Sequence, residues 1–217
     1  STTAVIVNLL TGAGGGGDKL INIENVIGTT LHDNITGSAL ANNLSGGAGN
    51  DTLAGDAGVD TLVGGDGNDV LNGGVGGDRL DGGNGNDVAS YATSSAAVNI
   101  NLLTGVVSGG DAVGDTFISI ENLTGSALND TLTGNASANT IDGGLGTDLL
   151  NGGDGNDSLL GGDGNDTLIG GAGADTLNGG NGIDTATYAS SAVAVNVNLA
   201  TGAGLGGDAA ADRLLAV

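Results

Sequence analysis

Aspartate recurs every nine residues over two long stretches of this chain, and carboxylates at such an interval are hard oxygen donors suited to a divalent cation. From Gly28 the first stretch reads GTTLHDNIT, GSALANNLS, GGAGNDTLA, GDAGVDTLV, GGDGNDVLN, GGVGGDRLD and GGNGNDVAS. From Gly125 the second reads GSALNDTLT, GNASANTID, GGLGTDLLN, GGDGNDSLL, GGDGNDTLI, GGAGADTLN and GGNGIDTAT. The sixth position is Asp in twelve of the fourteen nonapeptides: Asp33, Asp51, Asp60, Asp69, Asp78, Asp87, Asp130, Asp148, Asp157, Asp166, Asp175 and Asp184. Asn42 and Asn139 take its place in the other two. Carboxylates and carbonyls together match the six to eight flexible oxygen ligands of Ca²⁺ better than the stricter octahedron of Mg²⁺. Zn²⁺ would call for His or Cys, and the chain has one His and no Cys.

The elements that must position these carboxylates follow from the same period. A glycine pair every nine residues excludes a helix. The eighth position is aliphatic throughout, from Ile35, Leu44, Leu53, Leu62, Leu71, Leu80 and Ala89 to Leu132, Ile141, Leu150, Leu159, Leu168, Leu177 and Ala186. The unit reads as a six-residue turn followed by a three-residue strand whose central residue points inward. Two units close a coil of 18 residues, and coils stack through parallel strands. The expected fold is all-β: a right-handed parallel β-roll or β-solenoid with two facing parallel sheets and calcium in the turns. Stacking places each sixth-position residue over the one 18 residues later, at a strand spacing of about 4.8 Å, where two carboxylates repel unless a cation lies between them. The expected sandwiches are Asp33/Asp51, Asn42/Asp60, Asp51/Asp69, Asp60/Asp78 and Asp69/Asp87, and then Asp130/Asp148, Asn139/Asp157, Asp148/Asp166, Asp157/Asp175 and Asp166/Asp184. That is up to ten Ca²⁺, with weaker sites where Asn replaces Asp. Backbone carbonyls near Gly46, Gly49, Gly64, Gly67, Gly73, Gly76, Gly143, Gly146, Gly152, Gly155, Gly161, Gly164, Gly170 and Gly173 would complete the ligand sets.

Composition bounds the alternatives. The chain carries 25 acidic residues against Lys19, Arg79 and Arg213, a formal net charge of −22. Nucleic acid and anionic membranes need clustered Lys and Arg, so both are excluded as partners. Such charge with 47 glycines would favour disorder, were Leu and Asp not so regularly placed. Ten Ca²⁺ would answer most of it. No stretch resembles a signal peptide or a transmembrane helix, and no starting Met is present, so the chain is expected to be processed or a piece of something longer.

A second, longer period of 97 residues repeats Tyr91-Ala92 as Tyr188-Ala189 and Val98-Asn99-Ile100-Asn101-Leu102 as Val195-Asn196-Val197-Asn198-Leu199. The expected organisation is a partial spacer over residues 1–27, a first nonapeptide block over 28–90, a spacer continuing the solenoid over 91–124, a second block over 125–187 and the start of a third spacer over 188–217. The chain thus begins and ends inside the long repeat, with no terminal cap visible. Spacer acids Asp18, Glu24, Asp111, Asp115, Glu121, Asp208 and Asp212 are further candidate ligands or solvated side chains, with Asp18, Asp111, Asp115 and Asp208 as weaker metal ligands. Tyr91 and Tyr188 follow the small Ala89 and Ala186, which leaves room for their rings to pack. His32 has Asn129 as its counterpart, so it reads as a surface residue. Ser94-Ser95 and Ser190-Ser191 have no base and orienting group to activate them, so they read as turn residues and no enzyme is expected.

Gly64-Gly65-Asp66-Gly67-Asn68-Asp69-Val70-Leu71 and Gly161-Gly162-Asp163-Gly164-Asn165-Asp166-Thr167-Leu168 fit the pattern GGxGxDxUx, with U aliphatic. This resembles the RTX (repeat-in-toxin) hemolysin-type calcium-binding repeats, which are parallel β-helices. The likeness runs over essentially the whole chain; Thr29, Ser38, Ser126 and Asn135 depart from it where the second glycine should be. The resemblance implies a secreted or cell-surface protein, exported by a type I route and folding outside the cell on binding Ca²⁺. Two roles follow: a calcium-rigidified structural segment (an adhesin stalk, an S-layer-like protein or an extracellular filament whose identical subunits stack head to tail), or the C-terminal folding and secretion module of a larger enzyme or toxin. Ice binding is disfavoured, because the third turn position reads Ala48, Ala57, Asp66, Val75, Asn84 with no Thr row. Polyuronate binding is disfavoured by the scarcity of basic residues.

Overall fold

The computed structural model describes residues 3–217. The chain divides into two compact units, one of residues 1–91 with 107–120 and one of 92–106 with 121–217.

In the first unit, two parallel ladders alternate along the chain. One stacks Ile6–Asn8, Asn34–Ser38, Thr52–Asp56, Val70–Asn72 and Val88–Ser90. The other stacks Asn25–Ile27, Asn43–Ala48, Thr61–Asp66, Arg79–Asn84 and Thr116–Ile118. The register within the nonapeptides is 18 residues, as in Leu44↔Leu62 and Leu53↔Leu71. The second unit repeats the plan. One ladder runs through Asn122–Thr124, Thr140–Leu145, Ser158–Gly164, Thr176–Gly182 and Arg213–Leu215. The other runs through Asn99–Asn101, Thr131–Thr133, Leu149–Asp154, Thr167–Ala172 and Thr185–Ala186. Each unit is therefore a stack of parallel coils of about 18 residues, an all-β solenoid.

Each strand of the blocks gives the core one inward side chain, so the two ladders of a unit make two columns. Leu44, Leu53, Leu62, Leu71 and Leu80 are fully buried, and so are Leu132, Ile141, Leu150, Leu168 and Leu177. Each side chain sits between the same positions of the coils above and below, so a column of Leu replaces the large aromatics of an ordinary core. A buried Leu contributes about 1.5–3 kcal/mol.

Most strands of the nonapeptide blocks are longer than the expected three residues. Thr61–Asp66 and Thr167–Ala172 have six residues, and Ser158–Gly164 and Thr176–Gly182 have seven. They take in both glycines, and Gly47 pairs with Gly65 in register. The reason lies in the backbone: an unpaired N–H or C=O is costly when buried, so the ladder continues through the glycines to the last residue that can pair. Three-residue strands do occur, as at Val70–Asn72 and Thr131–Thr133.

The spacers add strands that extend the ladders and also fold on themselves. Asn99–Asn101 lies parallel to Thr131–Thr133. Asn196–Asn198 lies antiparallel to Ala203–Leu205, and Ala13 bridges Asn8 and Lys19 in the antiparallel sense. Short 3-10 turns occupy Gly110–Ala112 and Gly207–Ala209. Among the described residues no helix is long and apolar enough to cross a membrane.

Candidate metal centre

The sixth-position side chains lie inside the turns, not at their edge. Asp51, Asp69, Asp78, Asp166 and Asp175 are 0–1% exposed. Each carboxylate is tied to the coil before it: Asp33 N–H donates to Asp51 Oδ1 at 2.7 Å, Asp51 N–H to Asp69 Oδ1 at 2.7 Å, and Asp60 N–H to Asp78 Oδ1 at 2.8 Å. Unit two has the same rungs, with Asp148 N–H donating to Asp166 Oδ1 at 2.9 Å and Asp157 N–H to Asp175 Oδ1 at 2.8 Å. The 18-residue partners are therefore those the sequence gives. The contact, however, is amide to carboxylate, because the backbone N–H reaches the incoming oxygen before a second carboxylate does.

This leaves the other oxygen. Oδ2 of Asp51, Asp60, Asp69, Asp78, Asp148, Asp157, Asp166 and Asp175 is buried without a hydrogen-bond partner. A charge-bearing oxygen in that state costs several kcal/mol unless something neutralises it. Burial accordingly pushes Asp60, Asp69, Asp148 and Asp175 up to about 6, against the opposing pull of the amide bonds from Asn42, Asp51, Asp130 and Asp157. Neighbouring carboxylates add to the rise.

Oδ2 does not stand alone. A Cβ built on Gly46 would lie 2.1 Å from Asp51 Oδ2 and 2.7 Å from the carbonyl oxygen of Gly64, one coil on. At Gly152 the same spot lies 2.1 Å from Asp157 Oδ2 and 2.7 Å from the Gly170 carbonyl. The first glycine of the motif thus keeps open a cradle where a carboxylate and a carbonyl converge. Carbonyls of the fourth position, among them those of Gly49, Gly58 and Gly146, stack against the fourth-position glycine of the following coil. Among the described residues no three His, Cys, Asp or Glu side chains gather at one point. Main-chain oxygens must therefore supply most of any ligand set, with one or two carboxylate oxygens as the anionic part. An all-oxygen, glycine-lined, negatively charged cradle fits Ca²⁺.

Residues 27–62, 55–89, 124–159 and 151–186 match the RTX calcium-binding nonapeptide repeat, in four copies. The chain belongs to that family. The matched segments cover more than half of it, and the RTX solenoid is a calcium-binding scaffold. No curated protein matches the chain by sequence.

The other candidates have different surroundings. Asp33 and Asp130 keep Oδ2 satisfied from within their own turns, by Thr29 N–H and by Ser126 N–H (2.5 Å). Asn42 Oδ1 accepts from Ser38 N–H at 2.6 Å, and Asn139 Oδ1 from Asn135 N–H at 2.7 Å. Their amide groups donate outward, to the Glu24 carbonyl at 3.3 Å and the Glu121 carbonyl at 2.5 Å. Asp115 and Asp212 are buried and take the next rung of the ladder: Asp78 N–H donates to Asp115 Oδ1 at 2.8 Å and Asp175 N–H to Asp212 Oδ1 at 3.0 Å. Asp18 is exposed, and Asp111 and Asp208 lie half-buried in the 3-10 turns. Asp87 is buried and Asp184 half-buried at the last coil of each block, where Gly82 and Gly179 face the carbonyls of Ser119 and Ala216.

Three residues do more than their types suggest. The Tyr91 hydroxyl donates to Asp115 Oδ2 at 2.5 Å and the Tyr188 hydroxyl to Asp212 Oδ2 at 2.8 Å. Burial and the adjacent carboxylate raise both tyrosine pKa values well above 10. His32 Nδ1 accepts from Asn50 N–H at 2.6 Å, and its counterpart Asn129 Oδ1 accepts from Thr147 N–H at 2.8 Å. The imidazole therefore does a turn asparagine's work. The Ser94 and Ser191 hydroxyls donate to the carbonyls of Ala96 and Val193, as turn residues do.

Proposed function

We propose that the chain is a non-enzymatic, calcium-rigidified structural segment of a secreted or cell-surface protein, and that it folds as it binds the metal. One observation carries this: among the described residues, the buried Oδ2 atoms of Asp51, Asp60, Asp69, Asp78, Asp148, Asp157, Asp166 and Asp175 have no hydrogen-bond partner, each beside a first-position glycine that lines its cradle. Such a fold is self-destabilising at −22 net charge until cations enter. In a calcium-poor cytosol it would stay unfolded, and at the millimolar calcium of an extracellular medium it would fold, with the metal supplying the folding free energy. The ligands would be the second oxygens of Asp51, Asp60, Asp69 and Asp78, and of Asp148, Asp157, Asp166 and Asp175, with first-position glycine carbonyls; Asp87 and Asp184 close the series with spacer carbonyls. Each site is expected to be weak alone, about 10⁻⁴–10⁻³ M as in extracellular modules, and cooperative through shared turns. The tandem 97-residue repeat supports a stalk or filament role, in which identical subunits stack head to tail.

Equilibrium dialysis against calcium tests the reading. Eight to ten ions per chain are expected, taken up over a narrow concentration range. Fewer than four, or uptake that is indifferent to replacement of Ca²⁺ by Mg²⁺, would contradict it.

A further inference from the structure

The oxygen that asks for a cation in the middle of each block is already satisfied at both block ends, each time by a proton donor of the chain itself. We infer that the two opening turns of each block and the spacer turn that follows it are calcium-free caps, which confine the metal to the turns between them. The inference rests on the calcium reading above and adds where the metal stops.

The second turn position decides the opening end. In the interior turns it is left-handed: φ is +118° at Gly65, +105° at Gly153 and +80° even at Asp56. In that conformation its N–H does not reach the carboxylate, and Oδ2 stays without a partner, as in Asp60 and Asp69. In the opening turns the residue is Thr29, Ser38, Ser126 or Asn135, and none of these is among the left-handed residues. The N–H now points inward and closes on the sixth-position oxygen four residues later. The Ser126 hydroxyl adds a second donor to Asp130 Oδ1 at 2.9 Å, and the Thr29 hydroxyl reaches Asp33 Oδ1 at 3.1 Å. Stacking order favours glycine at this position in the later turns, Asp56 being the exception that keeps the left-handed φ. A Cβ on Gly65 would lie 2.0 Å from the Gly47 carbonyl of the preceding coil, and one on Gly47 would lie 2.1 Å from that of Thr29. Thr29 and Ser38 belong to the first nonapeptide coil and precede that crowding. In the second turn, Asn42 also replaces the charge itself.

At the closing end the donor is a phenol. Asp115 takes the rung after Asp78, and the Tyr91 hydroxyl occupies its second oxygen at 2.5 Å. Asp212 and Tyr188 repeat this in the other unit. A hydroxyl proton thus stands where the interior turns present an open oxygen. Asp115 and Asp212, two spacer carboxylates that look like additional ligands, are ends of the ladder.

Ion counting on full-length variants tests the inference. Native mass spectrometry or dialysis is carried out at the lowest calcium that saturates the wild type. Asp69→Asn, in an interior turn, is expected to lose at least one ion. Asp33→Asn, Asp130→Asn and Asp115→Asn are expected to keep the wild-type count, and Asn already serves at positions 42 and 139. If the capped variants lose ions as Asp69→Asn does, the caps are metal sites and the inference fails. If Asp69→Asn also keeps its full count, the calcium reading fails, and this inference with it. Tyr91→Phe keeps the ring and removes only the donor; it is expected to lower the urea midpoint of the calcium-loaded protein without lowering the ion count. A midpoint equal to that of the wild type would overturn the phenol cap.

Discussion

Protons should replace calcium in this fold, and the size of the effect follows from the buried carboxylates. Asp60, Asp69, Asp148 and Asp175 are raised by burial from 3.8 to about 6. A carboxyl whose folded value exceeds its unfolded value binds more protons folded than unfolded between the two. Its contribution is fully present below pH 3.8 and is lost as pH climbs through about 6. At about 1.4 kcal/mol per pH unit, ionising each group inside the metal-free fold costs about 3 kcal/mol at pH 8. At pH 5 about half of that cost remains, so acidification returns on the order of 1 kcal/mol per group and about 4–6 kcal/mol over the four. That is comparable to the whole stability of a domain, about 5–15 kcal/mol. The assay is far-UV circular dichroism in excess EGTA, run from pH 8 to pH 5 and no lower, since the isoelectric point near 4.1 invites precipitation. The β-signal should rise as pH falls through 6, and calcium titrations at pH 5 should need more metal than at pH 8. A metal-free signal that is flat or falls on acidification would refute the claim that these oxygens are buried and unpartnered.

Other perturbations have definite expected outcomes. Leu62→Ala removes one rung of the core column and should cost the calcium-loaded protein about 2–5 kcal/mol in urea denaturation, whereas Val59→Ala, on a 68% exposed side chain, should fall within about 0.5 kcal/mol of wild type. Gly65→Ala puts a Cβ 2.0 Å from the Gly47 carbonyl at φ +118° and should prevent close coil stacking, read as a raised calcium midpoint for folding; Gly105→Ala, with φ +69° and no atom within 4 Å, should shift that midpoint far less.

Much of the fold was legible because its period is its structure. The eighth-position residues from Ile35 to Leu177 mark the core column, and an 18-residue coil follows once two nonapeptides are paired. The extent of the strands was not legible: a glycine pair signals a turn locally, yet neighbouring coils let Gly47 and Gly65 pair as strand residues. At the turns, the 18-residue spacing correctly named which residues meet, such as Asp51 and Asp69. It could not tell that an amide takes one oxygen and leaves the other, since that depends on which backbone group arrives first. The Tyr91–Asp115 contact was hidden for another reason. Its partners are 24 residues apart in a spacer without the nonapeptide period, and only the 97-residue recurrence as Tyr188 and Asp212 marks them. The closure of Thr29 on Asp33 left an ambiguous sequence signal, the missing second glycine, because Asp56 lacks that glycine too and stays left-handed; only the backbone conformation separates the two.

The central claim is that calcium makes this chain fold. The direct measurement is the far-UV circular dichroism of the full chain at pH 7.5 in millimolar calcium, before and after excess EGTA. The account predicts a β-rich spectrum that collapses toward disorder on chelation and returns when calcium is restored. A β-signal unchanged by EGTA would contradict it.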